Sequence, residues 1–116
     1  MKPVHWMGSS LLDLRSFPAE VQDDIGFALY AAQTGGKHNK AKPLKGFHGA
    51  GVLEIVENHD GDTYRAAYTV KLAAAVYVLH VFQKKSKHGI ATPKHDLDLI
   101  EQRLRLAVAD AKGQKA

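Results

Sequence analysis

GVLEIVENHDGDTYRAAYTVKLAAAVYVLHVFQKK, residues 51–85, contains three apolar runs separated by turn-forming residues. The runs are GVLEIVE (51–57), TYRAAYTV (63–70) and AAVYVLHVFQ (74–83), and each reads as a β-strand. Between the first two lies Asn58-His59-Asp60-Gly61-Asp62, whose Asp-Gly step predicts a hairpin turn. In the middle run Tyr64, Ala66 and Tyr68 alternate with Arg65, Ala67 and Thr69, so one face of that strand carries Arg65. The third run is apolar at almost every position, the pattern of a central strand covered on both faces.

Helices flank this block. Upstream, Val4-His5-Trp6 reads as a short first strand, and Ser9 or Ser10 can cap a helix carrying Leu11, Leu12 and Leu14. Pro18 suits a helix start, and Glu20, Asp23 and Asp24 near that end complement the helix dipole. Val21, Ile25, Ala28, Leu29 and Ala32 recur at helical spacing, which predicts an amphipathic helix over 18–33, ended by Gly35-Gly36. Residues 35–50, rich in Gly, Lys and His, read as one long irregular segment. Downstream, Thr92-Pro93 launches a C-terminal helix marked by Leu97, Ile100, Leu104 and Val108, with the tail AKGQKA expected to fray. The order is β-α-α-β-β-β-α. It predicts an α+β domain in which an N-terminal helical hairpin and a C-terminal helix pack on a small, mainly antiparallel sheet.

At 116 residues, 1–116 is expected to form one domain. There is no cysteine, which excludes disulfides, thiolate metal sites and cysteine nucleophiles. No stretch approaches the ~20 apolar residues of a membrane span, and no secretory signal opens the chain, so a cytoplasmic protein is expected. The net charge of +4 is unevenly spread. From Ile25 to Leu53 there is no acid but Lys37, Lys40, Lys42 and Lys45; from Thr63 to His95 there is none but Arg65, Lys71, Lys84, Lys85, Lys87 and Lys94. Two such blocks form either a face for phosphate backbones or an ordinary lysine-rich surface.

The motifs narrow the chemistry. Seven histidines include no HExxH and no pair at ligand spacing with a carboxylate, so no metal and no other cofactor is expected. Neither a GxSxG elbow nor a GxxxxGK[ST] phosphate loop occurs. What remains is basic and aromatic: Arg65 in mid-strand, Phe82, Lys84 and Lys85 at a strand end, Lys87 beyond it, and Lys45 closing the irregular segment. Antiparallel pairing sets the end of the last strand beside the start of the middle one, near Arg65. Such cations can clamp phosphate and promote attack of a 2′-hydroxyl on it, while Phe82 or Tyr68 can stack on an unstacked base. The alternative is that the lysines guard a sheet edge.

LKGFHGAGVLEIVENHDGDTYRAAYTV (44–70) followed by VYVLHVFQKKSKHGIATPKHDLDLIEQR (76–103) resembles the HigB/RelE-type toxins of bacterial toxin–antitoxin pairs, in particular their phage-related HigB-like branch. The likeness covers about residues 40–103 and rests on the YR strand, the FQKKSK run and the Thr-Pro before the last helix. It implies a RelE-like fold and a toxin that binds the ribosome and cuts translated mRNA without a metal. A helix-turn-helix antitoxin would neutralise it. By motif position, Arg65 would stabilise the scissile phosphate. Lys84 and Lys85 would bind phosphate, one of them serving as general acid or base. Lys45 and Phe82 would be RNA-contact and base-stacking residues; Lys87 and Tyr68, from the basic and aromatic pattern itself, are further candidate RNA contacts. Many relatives carry Glu-Leu-Arg on the first hairpin strand, where this chain has Glu54-Ile55-Val56. The alternatives are a ParE-like gyrase inhibitor of the same fold and a relative that binds without cutting. His80 or His88 can stand in for proton transfer, though His80 also fits a buried hydrogen-bonding role.

Overall fold

The computed structural model describes residues 1–47, 51–84 and 92–113. In chain order the elements are β1 (Val4–Trp6), α1 (Ser10–Arg15), α2 (Ala19–Gln33), β2 (Ala41–Pro43), β3 (Val52–His59), β4 (Asp62–Thr69), β5 (Val76–Lys84) and α3 (Lys94–Gly113). The strands form one sheet in the order β1-β5-β4-β3-β2. Its pairs are antiparallel except β1 against β5, so the mixed α+β architecture expected of a RelE-like chain is present.

The β3–β4 hairpin is built as its residues dictate. His59 pairs with Asp62, leaving Asp60 and Gly61 as a two-residue loop with φ of 49° and 83°. Two positive φ values in succession define the turn whose twist matches the flanking strands, and Asp-Gly tolerates it. That turn fixes the register, which sets Val56 opposite Arg65 and Glu54 opposite Ala67.

Both faces of the sheet are covered. On one, Val21, Ile25, Ala28, Leu29 and Ala32 of α2 pack on Ile55, Tyr64, Ala66, Tyr68, Val76, Val78 and Val81. On the other, Ile100, Ala107 and Ala111 of α3 pack on Val52, Ala67, Tyr77, Leu79 and Phe82. This two-sided cover is why β5 is apolar at almost every position.

Two expectations need correction. The segment 35–50 is not wholly irregular, because Ala41–Pro43 adds an edge strand antiparallel to β3. Three residues with a lysine and a proline carry little strand signal, and proline is tolerated there because an edge strand leaves N–H groups facing outward. The C-terminal helix also runs further than expected, through Gly113. Ala107 and Ala111 are buried, and the Tyr77 hydroxyl donates to Asp110 Oδ2 at 2.8 Å, so tertiary contacts hold a turn that would fray alone.

Candidate functional site, a cationic cleft beside the last helix

Past Phe82, the sheet face that α3 covers opens into a cleft of about 700 Å³. Its floor is Glu54, Val56 and Asn58 of β3, Thr63 and Arg65 of β4, and Lys84 of β5. Lys42 to Gly46 form one wall; Thr92 and Leu97 form the other. Gly46, at φ 96°, makes the reversal that turns Lys45 onto the rim. Lys42, Lys45, Arg65 and Lys84 are four cations against the one carboxylate of Glu54 among these residues.

Lys84 reaches this face through an irregularity. The β4–β5 register slips between Ala67 and Tyr68, so that Ala67 faces His80 but Tyr68 faces Val78, with Leu79 as the extra residue of a bulge. Val76 and Val78 point to the α2 side, yet after the bulge Phe82 opposes Arg65 and Lys84 opposes Thr63 on the α3 side. Uninterrupted alternation would have turned Lys84 the other way. The bulge re-aims the strand end toward the cleft.

At the centre, Arg65 and Glu54 are each 5% exposed. Arg65 Nη1 donates to Glu54 Oε1 at 3.3 Å, to Glu54 Oε2 at 3.2 Å and to Thr92 Oγ1 at 3.3 Å. The Thr92 hydroxyl in turn donates to Glu54 Oε2 at 2.9 Å. Glu54 sits diagonally from Arg65 across the β3–β4 ladder, within reach of a long side chain. The triad fastens Thr92, in the segment leading into α3, to the sheet and holds the guanidinium by its Nη1. A buried charge pair of this kind is tolerated because each partner meets hydrogen bonds as well as opposite charge.

The structure therefore brings Lys45, Arg65 and Lys84 together. Lys85, Lys87 and His88 lie outside the described residues. Phe82 is 9% exposed and belongs to the core under α3, where its ring stacks on His80 at 4.7 Å and 14°. Tyr68 is a correction. It has no exposure, lies on the opposite face among the α2 contacts, and burial pushes its hydroxyl pKa up to about 12. A ring sealed there cannot stack on a base.

His80 is committed elsewhere. Nε2 lies 2.8 Å from Asp96 Oδ1, and Nδ1 lies 3.3 Å from Arg103 Nη1. Arginine can only donate, so Nδ1 accepts and Nε2 carries the hydrogen toward Asp96. Burial lowers the His80 pKa below its ordinary value, against the pull of Asp96 and with Arg103 adding to the depression. The ring is a neutral brace between β5 and α3. Its partners are on the helix, not within the sheet.

Glu54 and Thr92 are the site residues that sequence reasoning missed. A signal existed: Glu54 is an acid inside the apolar run VLEIV, and the Asp-Gly turn puts it one diagonal step from the only cation of the next strand. Val56, in the position where the relatives' arginine is expected, faces Arg65 directly and lines the cleft. Among the described residues no three His, Asp or Glu side chains converge as a metal-holding group, and no helix is long and apolar enough to cross a membrane.

Comparison with known proteins adds one match. The family model described as phage derived protein Gp49-like (DUF891) matches residues 12–105, which include both hairpin strands, β5 and most of α3. No curated protein and no solved structure matches the chain. The matched span takes in every cleft residue described above, and the family is one of RelE/HigB-like toxins, which implies an antitoxin partner. The chain belongs to the phage-derived Gp49-like family.

Proposed function

We propose that the chain is the toxin of a toxin–antitoxin pair and that its cleft holds the phosphates of a single RNA strand, cutting translated mRNA on the ribosome without a metal. A helix-turn-helix antitoxin would neutralise it. The observation that carries the reading is the meeting of Lys45, Arg65 and Lys84 in one cleft beside the start of α3.

In this reaction a ribose 2′-oxygen attacks the neighbouring phosphorus and the P–O5′ bond breaks. The products are a 2′,3′-cyclic phosphate and a 5′-hydroxyl. Arg65 and Lys45 face the charge that gathers on the phosphoryl oxygens. A phosphate that draws the Arg65 guanidinium loosens its hold on Glu54, and the carboxylate takes the 2′-hydroxyl proton. Lys84 donates a proton to the departing 5′-oxygen, and exchange with water restores both groups.

A second reading has its own observation. With Val56 in place of the expected arginine, the cleft lacks a cation directly opposite Arg65, which suits a relative that binds RNA without cutting it.

Inducing the chain in cells and mapping new mRNA 5′ ends tests the two. Cleavage by the wild type that disappears in the Arg65→Ala, Lys84→Ala double variant supports the toxin reading. Cleavage that persists in the double variant refutes the site. RNA binding without new 5′ ends favours the second reading. DNA damage with intact mRNA points to gyrase.

A further inference from the structure

A second groove, of about 550 Å³, runs along the outer side of the same wall. It is lined by Lys45, Gly46 and Phe47 on one side and by residues of α3 on the other, and it shares Lys45, Gly46 and Leu97 with the cleft. On α3 the contributing positions are 94, 97, 98, 101, 104 and 105, one continuous stripe at helical spacing. Phe47, Leu97 and Leu104 are half-buried and form an apolar floor. The stripe's charged residues are paired with one another: Lys94 with Asp98 at 3.1 Å, and Arg105 with Glu101 at 2.8 Å.

The two cavities differ in charge. The cleft sets four cations against one carboxylate; the groove sets Lys45, Lys94 and Arg105 against Asp98 and Glu101. A nearly balanced rim over an apolar floor suits a planar, mostly apolar group that has donors and acceptors at its edge. A nucleobase has that chemistry, and its edge would find both acceptors and donors here. The groove's volume lies within the range of small-molecule sites.

We propose that this groove is a base subsite, receiving the unstacked base of a nucleotide next to the phosphate held in the cleft. The inference rests on the RNA reading above and adds to it the source of base preference. Phe47 and Leu104 supply the contact surface; Glu101 and Arg105 read the edge.

The test maps mRNA 5′ ends after induction of the wild type, Phe47→Ala, and the exposed pair Glu101→Ala, Arg105→Ala. The thermal midpoint of each variant and its neutralisation by the cognate antitoxin are measured alongside. Phe47→Ala is expected to reduce cleavage about tenfold, the scale of one lost base contact, and to flatten the preference at one position near the cut. The Glu101→Ala, Arg105→Ala pair is expected to change which base is preferred at that position. Its side chains are half or more exposed, so it reports on the groove even if Phe47→Ala fails to fold. Wild-type cleavage frequency and preference in the rim variant would overturn the subsite, while Arg65-dependent cleavage would leave the phosphate cleft standing. An unchanged cutting pattern with loss of antitoxin neutralisation would overturn it too, assigning the groove to a protein partner. Absence of any wild-type cleavage would remove the RNA reading and the subsite together.

Discussion

The two faces of the sheet are made by alternate residues of the same strands, yet they differ in kind. Toward α2, the inner positions of β4 are Tyr64, Ala66 and Tyr68, in an apolar cluster. Toward α3, the sequence of neighbours is Thr63, Arg65 and Ala67 on β4, with Glu54 on β3 and His80 and Lys84 on β5. Glu54, Arg65, His80 and Lys84 are all buried to within 8% exposure, whereas the α2 side buries a single charged side chain among the described residues of these strands, Glu57, which pairs with Lys40 at 3.1 Å. Apolar packing dominates where a helix lies flat on the sheet. Where the cover stops, buried polar groups need specific partners, and those partners shape the cleft.

The comparison breaks most sharply at Glu54. Replacing it with Ala removes the carboxylate from a buried guanidinium, and about 3–5 kcal/mol of stability is expected to go with it. Denaturant titration measures the loss. The double change Glu54→Leu, Arg65→Met makes the open face resemble the closed one. Its stability is expected to return to near the wild-type value or above, since apolar replacement of a buried pair is often neutral or stabilising. RNA cleavage is expected to be lost. A stable double variant that still cuts would show that the polar face is only another way to fill a core.

Sharpening comes next from pH. Because His80 is harder to protonate when folded than when unfolded, the unfolded chain binds the extra proton first. Stability from the neutral ring is therefore full above its ordinary pKa of 6.5 and falls as pH drops below that value toward the lowered folded one. Thermal melts from pH 7.5 down to 5 are expected to show a falling midpoint, and His80→Gln is expected to flatten that slope. An equal slope in the variant would move the effect to other groups.

The sequence made the hairpin legible because Asp60-Gly61 admits few turns, and the turn fixes every pair from His59–Asp62 to Val52–Thr69. It made α2 legible because five buried positions share one helical stripe. Parity along β4 was also readable: Tyr68 is an odd number of residues from Arg65, which places it on the far face and against RNA contact. β5 resisted the same reasoning. Its bulge at Leu79 reverses the parity of everything after it, and nothing in the local composition of VYVLHVFQK announces the slip. Thus Lys84 belongs to the cleft for a reason that only pairing with β4 supplies. β2 was hidden because three residues gain strand structure only from the neighbour they pair with.

The smallest effect concerns the closed face itself. The Tyr68 hydroxyl is buried and has no hydrogen-bond partner among the described residues. Burying a hydroxyl without a partner carries a desolvation cost, while the ring around it fills core volume. Tyr68→Phe keeps the ring and removes only the oxygen, so the lost interaction is nil and the relieved cost is about 1 kcal/mol, less whatever void the oxygen leaves. The variant is expected to be as stable as the wild type or slightly more so by denaturant titration, and to cut RNA unchanged. If cleavage fell while stability held, the tyrosine would be reaching the site through the sheet, and the division of labour between the two faces would be wrong at the residue where it is drawn most clearly. A loss of stability would mean instead that the hydroxyl finds a partner within the core.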